Sequence, residues 1–226
     1  MLTKSPHPST VPPTQDEISS LLNTIFTAKT SQSSLDASYA LTQLLLNSVG
    51  FRGLRIYGIL EAIRKEAANK KDGARRESAM ILLGALFEKF VPQQRISEII
   101  FLAQDGGIIR PALDGLADKG PPVRESAQYA LDVLFNNLSP EALVVGLLPA
   151  LVRYLSKATG KWQGAVGAYE LLGRMADQAK MGTGTKEEES RKDLLREAMG
   201  KELKGLIPIV ESGMHDLKNE VGFTAS

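Results

Sequence analysis

Apolar positions recur along this chain at spacings of three and four, the period of a helix with one buried face. Ile18, Leu21, Leu22 and Ile25 follow Thr14-Gln15-Asp16-Glu17, a T-x-x-E capping box, so a first helix begins there. After the polar run "KTSQSS", Leu41, Leu44 and Leu45 mark a second helix over Leu35 to Asn47, stopped by Gly50. Beyond Gly53 the pattern predicts a helix over "LRIYGILEAIRKEAA", a turn at "NKKDG" and a helix over "ARRESAMILLGALFEKF". The segment "SEIIFLAQDGGIIRPALDGLAD" leads to the turn "KGPP" and to "VRESAQYALDVLFNNL", whose Val123, Ala127, Ala130, Leu131, Leu134 and Leu138 define one face.

These elements repeat. Arg76-Glu77-Ser78-Ala79 recurs 48 residues later as Arg124-Glu125-Ser126-Ala127, and Leu86-Phe87 recurs in register as Leu134-Phe135. A third unit, "PEALVVGLLPALVRYLSKATGKWQGAVGAYELLGRMADQ", places Leu148-Pro149-Ala150-Leu151 38 residues after Arg110-Pro111-Ala112-Leu113, and Gln163-Gly164-Ala165 38 after Glu125-Ser126-Ala127. A fourth opens at "GLIPIVESGMHDLKNEVGFTAS": Ile207-Pro208 matches Leu148-Pro149, and Asp216 with Val221 matches Asp118 with Val123. Between the third and fourth units the segment around 180–190, "KMGTGTKEEESRKD", is an insertion. Its Gly-Thr part is read as a loop, and "EEESRKDLLREAMGKELKGL" as a helix. Residues 1–13, with four prolines, are expected to be a disordered tail, and 14–226 a repeat domain whose last unit is cut short within a helix.

Composition narrows the function classes. With 43% apolar residues the chain can bury a core. The 27 Lys and Arg nearly balance 26 Asp and Glu, so any attraction to nucleic acid must come from a local patch. Cysteine is absent, which removes disulfides, thiolate metal sites and a cysteine nucleophile. No apolar run is long enough to span a bilayer, so no membrane contact is expected, and the compartment is read as cytoplasmic.

Helix pairs of this length, prolines within first helices and a D-x-x-x-x-V junction resemble HEAT repeats, which implies an all-α solenoid of about four helix pairs. Asp118 with Val123-Arg124, and Asp216 with Val221, carry the junction. The third unit departs from it, with Ser156 and Lys161 at the Asp and Val places. "GKWQGAVGAYELLGRMADQA" followed by "LKGLIPIVESGMHDLKNEVGFTAS" is similar to the N-terminal region of the fungal translation elongation factor three family, ribosome-associated ATPases with two ATP-binding cassettes. "RRESAMILLGALFEKF" and "ADKGPPVRESAQYALD" look closer to a paralogous branch linked to late translation steps and mRNA export. The resemblance implies a monomeric ribosome-docking module whose partners are rRNA, ribosomal proteins and ATPase cassettes lying beyond Ser226. A protein–protein scaffold or an mRNA-export adaptor is the alternative.

No chemistry of the ATPase stands in this chain. "GTGTKE" (Gly182 to Glu187) lacks the P-loop pattern and a preceding strand, so neither nucleotide nor other cofactor is expected. His7 and His215 cannot by themselves build a metal site or a catalytic triad. Glu187-Glu188-Glu189 suits the positive end of a helix dipole better than acid–base work. Trp162 reads as a core filler at a helix start, with an interface anchor as the other reading. Asp118, Arg124 and Asp216 are read as an inter-repeat ladder, Arg124 pairing with Asp118 or another junction acid; a phosphate contact is the alternative for Arg124. Lys70, Lys71, Lys119, Lys157, Lys161 and Lys218 fall in or beside turns, so stacking would gather them into a basic stripe facing ribosome or RNA. A merely solvated edge is the bland reading of the same residues.

Overall fold

A computed structural model describes residues 11–91, 107, 109–157, 162–180 and 186–221. Among them every regular element is a helix. In chain order these are α1 (Gln15–Phe26), α2 (Ser31–Leu46), α3 (Arg52–Ile56), α4 (Ile59–Ala67), α5 (Gly73–Phe90), α6 (Ile109–Gly115), α7 (Pro121–Asn137), α8 (Pro140–Ala142), α9 (Leu148–Lys157), α10 (Trp162–Lys180) and α11 (Lys186–Val221). A π-helical turn, Leu143–Leu147, joins α8 to α9. The second helices of successive units, α2, α5 and α7, pack side by side in one layer, while α1, α4 and α6 back them. This is the helix-pair stacking of a HEAT-type array.

The capping box forms as the sequence predicts: Glu17 N–H donates to Thr14 Oγ1 at 3.2 Å, and Thr14 N–H to Glu17 Oε2 at 2.7 Å. The preceding residues are not all loose. Pro13 is buried, and its carbonyl accepts a 2.7 Å hydrogen bond from the Tyr57 hydroxyl; Val11 and Pro12 are exposed, and residues 1–10 of the expected tail lie outside the described residues.

Three elements differ from the sequence reading. α2 begins at Ser31, inside the run read as polar linker, with Thr30 Oγ1 capping Ser33 N–H at 3.1 Å. Its buried stripe includes Ser34, Ser38 and Thr42, and the Ser38 and Thr42 hydroxyls return 2.7 Å bonds to the carbonyls of Ser34 and Ser38. Small hydroxyls satisfied by their own helix can be buried, and an apolar count overlooks them. The helix expected over 54–68 is broken into α3 and α4 by Gly58, whose φ of 65° is the left-handed conformation that glycine adopts without a Cβ clash. The third correction is the fourth unit. The expected turn between Asp216 and Val221 does not exist; Lys186 to Val221 is one 36-residue helix that runs through Pro208. "MHDLKNEV" contains neither glycine nor proline, so no local signal ends the helix there.

Pro149 acts on its surroundings more visibly. It provides no N–H for the carbonyl of Val145, and the backbone widens to π geometry in the turn to which that carbonyl belongs.

The core runs continuously from Ile18 to Leu195. α5 is its axis: Ala79, Met80, Leu82, Leu83, Ala85, Leu86, Phe87 and Phe90 are all at most 1% exposed, because α2, α4 and α7 surround it. Close helix approach further along depends on glycine. A Cβ on Gly164 would stand 2.2 Å from the Tyr154 hydroxyl, and one on Gly167 would stand 2.3 Å from Leu116 Cδ1. Tyr154 Oη donates to the Leu113 carbonyl at 3.2 Å, and burial pushes its pKa up to about 12. α10 is also tied to α7 by Arg174, which pairs with Asp132, donates to Asn136 Oδ1 at 3.1 Å and stacks 4.2 Å from the centre of the Phe135 ring.

Candidate functional site at the turn edge

The turn between α4 and α5 is built by Asn69, whose side-chain oxygen accepts from Lys71 N–H at 3.1 Å and Asp72 N–H at 3.2 Å. Asp72 then caps α5 through Arg75 N–H at 3.2 Å. Asn69 Nδ2 reaches Glu66 Oε2 at 3.3 Å, and Arg75 Nη1 reaches Glu66 Oε1 at 3.2 Å. Glu66, a 6% exposed carboxylate, is therefore paired and hydrogen-bonded, as a buried charge requires.

The turn between α6 and α7 is organised by Asp118. Its Oδ1 accepts from Gly120 N–H at 2.8 Å, and both its oxygens take a fork from Arg76, at 2.6 Å from Nε and 3.0 Å from Nη2. Arg76 also donates to the Asn69 carbonyl at 2.8 Å, so one guanidinium ties two successive turns together. Burial pushes the Asp118 carboxyl up, but the Arg76 and Gly120 hydrogen bonds outweigh it and hold the group below the ordinary carboxylate range. Its hydrogen bond to Asp118 raises the Arg76 pKa in turn.

The ladder therefore uses a different arginine from the one expected. Arg124 does not hold the Asp118 carboxylate. Its Nη1 donates to the backbone carbonyls of Asp118 at 2.8 Å and Lys119 at 3.0 Å. An arginine of one unit reaches the acid of the following unit, and the acid that would serve Arg124 is replaced by Ser156. Asp216 has no turn to occupy and stands within α11, placed by its backbone alone. The signal for Arg76 was present in the separation of 42 residues from Asp118, close to one repeat.

Four of the six expected lysines, Lys70, Lys71, Lys119 and Lys157, have exposed side chains. Lys70 and Lys119 open on one groove of about 600 Å³ between successive turns, which Arg64, Asn69, Arg76, Asp114 and Asp118 also line. Lys71 adjoins Lys70 in the same turn, and Lys157 ends α9, away from the groove wall. Lys161 lies outside the described residues. Lys218, expected at a turn between units, sits in the last turn of α11, because the expected turn is absent. Trp162 begins α10, and its side chain is outside the described set.

Arg64, which the sequence reading did not single out, adds to this groove. Its Nη1 is 3.7 Å from Glu61 Oε1, while its buried Nε has no hydrogen-bond partner. A buried donor without a partner carries a desolvation cost that an incoming acceptor would relieve. Lys70 and Lys119 make no ion pair among the described residues. The arrangement can hold an anion such as a phosphate; it has no nucleophile paired with a base. Among the described residues no group of His, Cys, Asp or Glu could hold a metal ion, and no helix is long and apolar enough to cross a membrane.

Comparison with known proteins agrees with this architecture. The family model described as EF3 N-terminal HEAT repeat matches residues 35–186. The mRNA export factor elf1 of Schizosaccharomyces pombe is 30% identical over 211 residues, 93% of this chain and 18% of that protein. Prion formation protein 1 (NU+) of Saccharomyces cerevisiae is 28% identical over 177 residues, 77% of this chain and 13% of that protein. The chain thus spans less than a fifth of the length of these relatives. No solved structure matches. With the family model covering most of the chain, the chain belongs to the EF3 N-terminal HEAT repeat family.

Proposed function

We propose that this chain is the docking module of a longer, ATP-hydrolysing protein of the elongation factor three type, and that it makes contact with the ribosome through its turn edge in the cytoplasm. The module itself binds and does not catalyse; the cassettes that hydrolyse ATP belong to the rest of such a protein. The observation that carries the reading is the convergence of Lys70 and Lys119 from successive turns on one groove, beside an arginine with an unpartnered buried Nε. With overall charge at +1, attraction to RNA depends on such local gathering. Contacts of this kind position a surface on phosphate and carry no base sequence, which suits docking on a large structured RNA.

Cosedimentation with purified ribosomes tests it. If Lys70, Lys71, Lys119 and Lys157 neutralise about four phosphates, affinity falls by roughly two decades between about 50 and 200 mM salt, with a log–log slope near −3 to −4. The double variant Lys70→Glu/Lys119→Glu weakens binding and flattens that slope while leaving helicity unchanged. Binding that ignores both salt and these lysines overturns the reading.

A second reading, an adaptor in mRNA export, is favoured by the similarity to the mRNA export factor of Schizosaccharomyces pombe. It takes precedence if the chain fails to cosediment with ribosomes but binds purified messenger ribonucleoprotein particles in a way that the same two lysines control.

A further inference from the structure

The layer of second helices carries another opening, away from the turn edge. Between α2, α5 and α7 lies a cavity of about 300 Å³, with Leu35, Ile81 and Tyr129 as its apolar lining and Ser31, Gln32 and Glu125 among its polar wall. Leu35 and Ile81 are half-buried, whereas Tyr129 is 51% exposed.

Tyr129 is exposed but not free to move. Its ring lies against Gly84, where a Cβ would stand 3.2 Å from Cδ1, and its hydroxyl adjoins Tyr39. Tyr39 itself donates to Glu88, which raises its pKa. A glycine inside a helix is less stabilising than alanine, and at Gly84 that loss accompanies a close seat for an aromatic ring. An aromatic side chain held from below and open above needs little further ordering on binding, a common property of interface anchors.

The rim is acidic. Glu125 stands in the wall; Ser31 Oγ donates to Glu77 Oε1 at 2.6 Å, and Gln32 Nε2 donates to Asp36 Oδ1 at 2.8 Å. None of these three carboxylates makes an ion pair among the described residues, and no lysine or arginine lines the cavity. The arginines of the two repeated tetrapeptides are turned elsewhere, Arg76 to Asp118 and Arg124 to backbone carbonyls. A phosphate backbone would be repelled here, while a cationic segment would be attracted.

We infer that this groove docks a short segment of a protein partner that presents a bulky aliphatic or aromatic side chain between lysine or arginine residues. The cavity is at the small end of ligand sites, suited to a side chain rather than to a cofactor. The apolar lining with Tyr129 supplies the contact area, and the carboxylates select the sign of the flanks and speed the encounter. The site is separate from the turn-edge groove and does not depend on ribosome binding.

Fluorescence anisotropy on the whole chain tests the inference with a labelled hexapeptide of Leu-Phe between two pairs of lysines. Two control peptides replace the lysines by glutamates or Leu-Phe by Gly-Ser, and a single-stranded RNA oligomer serves as the competitor. The lysine-flanked peptide binds saturably, both controls bind at least about 10-fold more weakly, and the RNA does not displace it. Tyr129→Ala lowers its affinity by about 10-fold or more, Glu125→Lys lowers it several-fold, and Lys119→Glu leaves it unchanged. If Tyr129→Ala loses helicity, the exposed Glu125→Lys variant carries the test alone. Absence of saturable binding overturns the inference, as do equal binding of the Gly-Ser peptide, displacement by RNA, or affinity indifferent to both groove substitutions.

Discussion

Arg76-Glu77-Ser78-Ala79 on α5 and Arg124-Glu125-Ser126-Ala127 on α7 are the same four residues at the same place in successive repeats, yet only the alanines share a fate. Ala79 and Ala127 are both fully buried. Arg76 is 16% exposed and forks onto Asp118 of the next turn, itself 13% exposed. Arg124 is half-buried and finds only the carbonyls of its own turn. Glu77 accepts from Ser31 of the preceding unit, whereas Glu125 stands in the wall of an open cavity. A residue's role in a stacked array is therefore decided by the neighbouring unit. Arg76 is followed one unit later by an aspartate and Arg124 by Ser156, so the ladder has a rung on one side of α7 and none on the other.

The strongest way to break this contrast is to remove the acid of the existing rung. Asp118→Ala leaves Arg76 largely buried without a carboxylate and Gly120 N–H without an acceptor. Equilibrium urea unfolding should show a loss of about 3 kcal/mol, in the range for breaking one side of a buried pair. A loss within about 0.5 kcal/mol would mean that water or Asn69 satisfies the guanidinium on its own.

Acid titration approaches the same rung from the wild type. Because the folded-state pKa of Asp118 is depressed, its contribution is complete above the unfolded value of about 3.9 and disappears as pH falls through the folded value. The stability gap between wild type and Asp118→Asn should therefore be wide at neutral pH and narrow as pH falls below that point. A gap that stays constant into acid would contradict the depressed pKa.

Arg124→Ala is the matching change in the other copy, and it should cost far less, roughly 1 kcal/mol for hydrogen bonds made at a half-exposed site. The unequal effects of two chemically identical truncations in the same tetrapeptide would measure the missing acid. Equal effects would remove the contrast.

The smallest effect comes from building the absent rung. Ser156→Asp should add about 0.5 kcal/mol, the scale of an exposed ion pair, and the gain should vanish in the Arg124→Ala background. A gain that survives the loss of Arg124 would assign it to another partner, such as Lys157.

Much of the helical array was legible in the sequence. The capping box at Thr14 and the buried face of α7 follow from local pattern, because each depends on residues within a few turns of one another, and the helix-pair period follows from recurrence of such patterns along the chain. The boundary of α2 was less so, since Ser34, Ser38 and Thr42 are buried polar residues, and the hydroxyls of Ser38 and Thr42 bond to the helix itself. Gly58 was hidden inside a pattern that reads as one helix, and the matched landmarks of the fourth unit suggested a turn where α11 continues. At the turn edge, the sequence placed Lys70 and Lys119 in turns without showing the groove they share, and it offered Arg124 as partner to Asp118 or another junction acid where Arg76 makes the pair.

The division has a physical cause. By itself the sequence determined that the chain is helical, that its helices come in repeated pairs and that strong charge is absent, because these rest on periodicity and composition. Only the tertiary structure decided which arginine meets Asp118, which lysines face one groove and which tyrosine stays open between acidic walls. Those contacts join residues about 40 to 50 positions apart, and their partners depend on how each unit is turned against the next, a relation that side-chain packing along α5 sets and no local pattern encodes.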